Sequence, residues 1–175
     1  LYNCLYYSHN LSDNHPELVQ ALFKLEPPEP AEVQKQSFGE LLSQSLETEC
    51  NLPLVQKVHE QLRQNIEAHK ELKAEEPLVV SRQEVTDVLS GCGVTEEKLA
   101  KFNVEFDQHF GGDAALSPAN LIDAKKFQLK TPDVTIQVNP ERTDLVQTRV
   151  IGGVKYLLIC ADDGVEVNGI QVDVE

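Results

Sequence analysis

His59-Glu60 opens like the metalloprotease helix signature, in which two histidines one turn apart hold zinc and a glutamate beside the first serves as base. The second histidine belongs at position 63, and Arg63 stands there, so the signature is broken. His69 follows ten residues after His59, about 15 Å along a helix rising 1.5 Å per residue, which is too far to share a metal. Asp162-Asp163-Gly164 has the oxygen ligands that open a calcium loop, but it lacks the alternating run and the closing glutamate that encircle the ion, so it reads as a turn. Cys4, Cys50, Cys92 and Cys160 are scattered with no Cys-x-x-Cys pair, and neither a zinc knuckle nor a disulfide framework is indicated. There is no glycine-rich phosphate loop and no Gly-x-Ser-x-Gly elbow. The residues therefore support no catalytic centre, no metal and no cofactor.

Recognition is the remaining chemistry. Asn139-Pro140-Glu141-Arg142-Thr143-Asp144 is a polar excursion between two apolar stretches, and segments of that kind carry contacts. Arg142, Asp144 and Glu141 are its candidate binding residues; the plainer reading is a long turn capped by Asn139 and Asp144. Lys125, Lys126, Lys130, Arg142, Arg149 and Lys155 supply the cations of the C-terminal third. Lys126, Lys130 and Arg149 are the candidates for a basic contact patch, with Lys126, Gln128 and Lys130 on one strand face; the alternative is a solvated face with edge-guarding lysines.

The elements that hold these residues are legible in part. Lys126 to Lys130 and Val134 to Val138 alternate apolar and polar, as strands with one wet face do. Thr148–Ile151, the pair Gly152-Gly153 and Val154–Cys160 form a hairpin, since adjacent glycines accept the positive φ angles of a two-residue turn. The second arm is apolar on both faces, Tyr156, Leu158 and Cys160 against Leu157 and Ile159, which suits a covered, central strand. Val165–Val167 and Ile170–Val172 flank Asn168-Gly169, another hairpin signal.

Upstream the period is helical. A short helix after His15-Pro16 would turn Leu18, Leu22 and Phe23 inward, and Leu25 to Pro30 reads as an acidic, proline-rich connector. Pro30 suits the start of a helix to about Glu47 with Val33, Phe38, Leu41, Leu42 and Leu46 as its stripe. A third helix after Pro53 carries Val55, Val58, Leu62, Ile66 and His69, and the two are expected to pair as a hairpin. Ser81-Arg82-Gln83-Glu84 is a capping box for a helix through Val85, Val88 and Leu89, ended by Gly91 and Gly93. Thr95 caps a further helix with Leu99, Phe102, Phe106 and Phe110 inward, and Gly111-Gly112-Asp113 stops it. This last pair has the outline of a helix-turn-helix. Glu96, Glu97, Glu105 and Asp107 nevertheless outnumber Lys98 and Lys101 on its second helix, the wrong balance for phosphate.

The expected fold class is α+β: a mainly helical N-terminal half, then an antiparallel β-meander of about five strands. The expected organisation is a helical segment over 1–25 with a linker to about 30, a helical region of two hairpins over 31–120, and a sheet region over 121–175 packed with the helices as one domain. With 175 residues there is enough chain for one good core. The absence of methionine suggests a piece of a longer polypeptide, and no apolar run approaches the ~18 residues of a membrane helix. A net charge of −14 opposes indiscriminate contact with nucleic acid or anionic lipid.

The runs Lys130 to Val134 and Gln137 to Val146, then Arg149-Val150-Ile151 and Val165 to Ile170, resemble the C-terminal portion of a bacterial family catalogued as a domain of unknown function, found mainly in Gram-positive anaerobes. Leu5-Tyr6-Tyr7, His15-Pro16-Glu17-Leu18 and Val58-His59-Glu60 fit the same pattern. The resemblance covers essentially the whole chain, implies a missing N-terminal part, and brings no activity. A second similarity, of arrangement, is to the C-terminal half of the bacterial nucleoid-associated protein family, which implies association with the nucleoid. The expectation is thus a cytoplasmic, noncatalytic interaction domain that binds a protein partner or itself. Nucleoid association and support of an enzyme in the missing N-terminal part are the alternatives.

Overall fold

The computed structural model describes residues 16–24, 29–112 and 114–174. Cys4, the Leu5-Tyr6-Tyr7 stretch, Asp113 and most of the Leu25–Pro30 connector fall outside the described residues. Helix α1 spans Pro16–Phe23 and leaves Leu18 and Leu22 exposed, against the expectation that they turn inward; the Phe23 side chain is outside the description.

Helix α2, Ala31–Leu46, follows Pro30, and its Phe38, Leu41, Leu42 and Leu46 are buried while Val33 in the first turn is exposed. A single 3-10 turn, Glu47–Glu49, leads to α3, Leu52–Leu72. Asn51 caps α3 by accepting the Leu54 amide at 3.1 Å, and Lys73 ends it in the left-handed conformation. The stripe α3 buries is Leu54, Val58, His59, Leu62 and Ile66, rotated slightly from the one expected, so that Val55 faces out.

Strand β1, Val80–Ser81, runs into α4, Arg82–Gly91, and strand β2, Ala115–Leu116, precedes the short α6, Pro118–Leu121. Between them lies α5, Glu96–His109. The capping box is complete: the Ser81 hydroxyl accepts the Glu84 amide and the Glu84 carboxylate accepts the Ser81 amide at 2.7 Å. Thr95 does not cap α5 with its own oxygen. Its amide and hydroxyl instead donate to the two oxygens of Glu49, each at 3.0 Å, because a carboxylate is the stronger acceptor.

Helices α2 to α6 share one core, in which Phe102, Phe106, Leu41, Leu46 and Leu89 are fully buried. The expected hairpin of the second and third helices is not the main packing. Helix α2 lies against α5 and α6, and α3 against α4 and α6, so α6 is the element that packs on both. The α4–α5 pairing does form.

The C-terminal strands are β3 (Phe127–Lys130), β4 (Thr135–Val138), β5 (Val146–Ile151), β6 (Val154–Ile159), β7 (Val165–Val167) and β8 (Ile170–Val172). The α+β class holds, with antiparallel strands following a helical half, but no continuous meander forms. The six strands make three separate two-stranded sheets, β3–β4, β5–β6 and β7–β8. Strand β6 is therefore an outer strand and not the central one its apolar sequence suggested. A physical reason sits on α3. The Gln56 amide donates to the carbonyl of Thr143 at 2.6 Å, just ahead of β5, and to that of Val146 at 3.0 Å, the first outward acceptor on the edge of β5 that a neighbouring β4 would need.

Candidate functional site

The β5–β6 ribbon begins at a buried root. Val146 is fully enclosed, Gln56 holds the backbone beside it, and the Cys160 amide donates to the Leu145 carbonyl at 2.8 Å to close the base. At the other end Gly152 and Gly153 have φ of 59° and 83°, the two positive values of a type I′ turn, which preserves the ribbon's twist.

Strand register fixes what each face carries, because residues directly opposite point the same way. One face holds Val146 and Ile159, Thr148 and Leu157, Val150 and Lys155; the other holds Gln147 and Leu158, Arg149 and Tyr156, Ile151 and Val154. Apart from Val146 at the root, most of this surface is open: Val150 is 68% exposed, Ile159 55%, and Ile151, Val154 and Tyr156 are exposed on the reverse face. Apolar side chains therefore face water on both sides of one two-stranded sheet.

Register also fixes the edges. A two-residue turn makes Ile151 and Val154 a hydrogen-bonded pair, and the alternation continues to the Leu145–Cys160 bond at the base. The backbone groups of Val146, Thr148 and Val150 on β5, and of Lys155, Leu157 and Ile159 on β6, accordingly point away from the ladder. On β5 the first of these is engaged by Gln56. On β6 no described residue bonds any of the three, and this edge is free to pair with another strand. From Val146 to Cys160 the only charges are Arg149 and Lys155, in a chain of net −14.

The other candidate residues are placed as follows. In the 139–144 loop, Asn139 Oδ1 accepts the Glu141 amide at 3.0 Å, as expected for an Asn-capped turn. Asp144 does not cap. It pairs with Arg142 at 3.1 Å, and the guanidinium holds its carboxyl below the ordinary aspartate range. Glu141 lies 3.7 Å from the guanidinium of Arg63 on α3, which also bonds Glu67. Lys126 precedes β3 and pairs with Asp123 at 3.5 Å, whereas Lys130 ends β3 and Arg149 sits on the separate β5–β6 sheet. The loop thus forms one local ion-paired group, and the three cations of the basic patch are divided between two ribbons. Sequence reasoning passed over Gln56, whose only signal was a long polar side chain at the exposed shoulder of α3.

His59 has a structural role. His59 is buried, its Nε2–H donates to the Asp123 carbonyl at 3.0 Å, and its ring meets Phe127 edge-on at 5.2 Å between centroids. Burial lowers its pKa. Burial likewise pushes the thiols of Cys50 and Cys92 up, which makes them poor nucleophiles. Among the described residues no group of three His, Cys, Asp or Glu side chains is arranged to hold a metal, and no helix is long and apolar enough to cross a membrane.

A family described as a domain of unknown function, DUF4317, matches residues 1–170. The chain belongs to the DUF4317 family. No curated protein and no solved structure matches it. Within this DUF4317 chain the geometry of the β5–β6 ribbon is thus the main guide to function.

Proposed function

We propose that this chain is a noncatalytic interaction domain of a larger bacterial, cytoplasmic protein, and that it binds a protein partner by adding a strand to the β6 edge. One observation carries the reading: a ribbon apolar on both faces keeps the outward backbone groups of Lys155, Leu157 and Ile159 on β6 without a partner among the described residues, while its root is held to α3. A lone two-stranded hairpin is marginal in water, and exposed apolar faces of this kind are stabilised when a partner covers them. Strand addition supplies main-chain hydrogen bonds, and side chains of the added strand would meet Leu157 and Ile159 on one face and Tyr156 and Leu158 on the other. The ion-paired loop of Glu141, Arg142 and Asp144, at the root of the ribbon, is proposed to border the contact. The helices and ribbons are proposed to act as one domain, with residues before about 30 docking separately.

Proline scanning tests it. Leu157→Pro removes an outward N–H and no ladder bond, so it should leave the ribbon folded while abolishing recovery of a protein partner from the native lysate. Gln171→Pro, the equivalent outward position on the β7–β8 hairpin, should leave recovery intact. Equal recovery with wild type and Leu157→Pro would overturn the proposal.

A second reading, nucleoid association, is favoured by the absence of acids between Val146 and Cys160, where Arg149 and Lys155 stand alone. It requires recovery to collapse on nuclease treatment and to weaken with added salt and with neutralisation of Lys126, Lys130 and Arg149. Activity confined to a longer protein would point to an accessory role instead.

A further inference from the structure

A second surface feature is independent of the ribbon. The C-terminal half of α3, the extended segment 77–79, the end of α5 and the start of α6 enclose a cavity of about 650 Å³. That volume lies within the ~300–1,000 Å³ range of small-molecule sites. Its wall is largely apolar, with Ile66, Leu78, Phe110 and Leu116 among its residues, and Ile66 and Leu116 belong to the buried set.

Polar side chains interrupt this apolar wall. Gln34 is only 9% exposed; its amide N–H donates to the Glu29 carbonyl at 2.7 Å, and its oxygen accepts from Asn120 Nδ2 at 3.1 Å. Each amide nitrogen carries two hydrogens, so both Gln34 and Asn120 retain one unspent donor, and both residues line the cavity. Lys70 lines it too, and its ammonium has no carboxylate partner among the described residues. His69, His109 and Ser117 are also in the lining, with the His69 Nε2–H committed to the Glu76 carbonyl at 2.7 Å. Glu29 is the single acid of the lining, in a chain where acids outnumber bases 29 to 15. Lys70, Ile66, Ala119 and Asn120 also border an adjoining depression that contains Lys35 and Lys125 with Glu32 and Asp123, so Lys70 stands where the two meet.

Amide donors and an ammonium without a carboxylate partner among the described residues, in the lining of a mainly apolar hollow, suit an acceptor-only anionic head on an apolar body. We propose that this cavity binds a small organic carboxylate, its head group accepting from Lys70 and Asn120 and its hydrocarbon body lying on Ile66, Phe110 and Leu116. This site does not depend on strand addition at β6, and either reading can fail alone.

The test titrates the chain with hexanoate and with neutral hexanamide, followed by amide chemical shifts in two-dimensional NMR. Hexanoate should give saturable shifts at residues 66–70 and 115–120 with a dissociation constant on the order of 1 mM. Lys70→Gln, at an exposed position that folding does not need, should weaken hexanoate about tenfold and leave hexanamide unchanged. Ala119→Trp, also at an exposed position, should fill the hollow and abolish binding of both. Absence of saturable shifts, shifts confined to the β5–β6 ribbon, or equal affinity for hexanoate in wild type and Lys70→Gln would each overturn the proposal.

Discussion

The β3–β4 and β5–β6 hairpins have the same construction and opposite relations to the body. In β3–β4 the paired residues Phe127 and Val138, and Leu129 and Ile136, face inward, with Phe127 buried against His59, and Gln128, Lys130, Thr135 and Gln137 face water. In β5–β6 only Val146 is buried, and the remaining apolar residues are shared between two open faces. Alternation in the first hairpin matches the single surface offered by the helices. The second hairpin carries more apolar side chain than that surface can cover, so the excess is available for contacts made outside this body.

The contrast is most sharply broken by removing equally apolar groups from the two environments. Phe102→Ala in the helical core should destabilise by about 3–5 kcal/mol in denaturant unfolding, since the cavity adds to the lost transfer energy. A smaller effect is expected where ribbon meets body. Gln56→Ala removes both bonds at the root of β5 and should cost about 1–2 kcal/mol. Hydrogen exchange should rise at residues 146–151 and 154–159 and stay unchanged across β3–β4; uniform exchange in both ribbons would mean that Gln56 does not set them apart.

Acid should act on the first hairpin and the helical body without involving a β5–β6 residue. His59 has a folded pKa below its ordinary 6.5, because its Nδ1 is buried without a partner. The unfolded chain therefore takes up the proton first. Stability is full above about pH 6.5 and falls as pH drops through the lowered value. His59→Leu should flatten the dependence of Tm on pH between 7 and 5. Glu47, held by hydrogen bonds from Lys101 and Lys98, has its pKa lowered from 4.5 to about 2. Its contribution is complete above pH 4.5 and lost as pH falls toward 2, and Glu47→Gln should remove that part of the acid slope. The smallest effect is expected at Ile159→Ala, within about 0.5 kcal/mol in the chain alone. A core-sized loss there would show that the ribbon face is covered without a partner.

Features set by neighbours in sequence were legible beforehand. Asn168-Gly169 and Gly152-Gly153 marked their turns, Ser81 and Glu84 their capping box, and the spacing of Val58, Leu62 and Ile66 the inner side of α3. Features set by distant residues were not. Nothing local to Thr95 announces that Glu49 will take its hydroxyl, and nothing in β6 announces that β5 is held against α3 by Gln56. The apolar run from Tyr156 to Ile159 reads equally as a buried strand or as one waiting for cover, because periodicity reports faces and not what lies against them. For the candidate residues, Arg142 and Asp144 are neighbours in sequence and pair in one loop, while Lys126, Lys130 and Arg149 come together only in a single sheet, and the strands form separate ribbons.

The contact between Glu49 and Thr95 spans 46 positions of chain. The first turn of α5 is closed locally, by the Leu99 amide on the Thr95 carbonyl at 2.9 Å, but the Thr95 amide and hydroxyl find their acceptor only when the 3-10 turn after α2 is in place, at the cost of closing the loop between them. The two aromatic rings at the centre of the core, Phe102 and Phe106, ride on that helix. The start of the helix that carries these two rings is in this way anchored to the end of α2, and α5 released as a peptide would leave the Thr95 amide and hydroxyl to water.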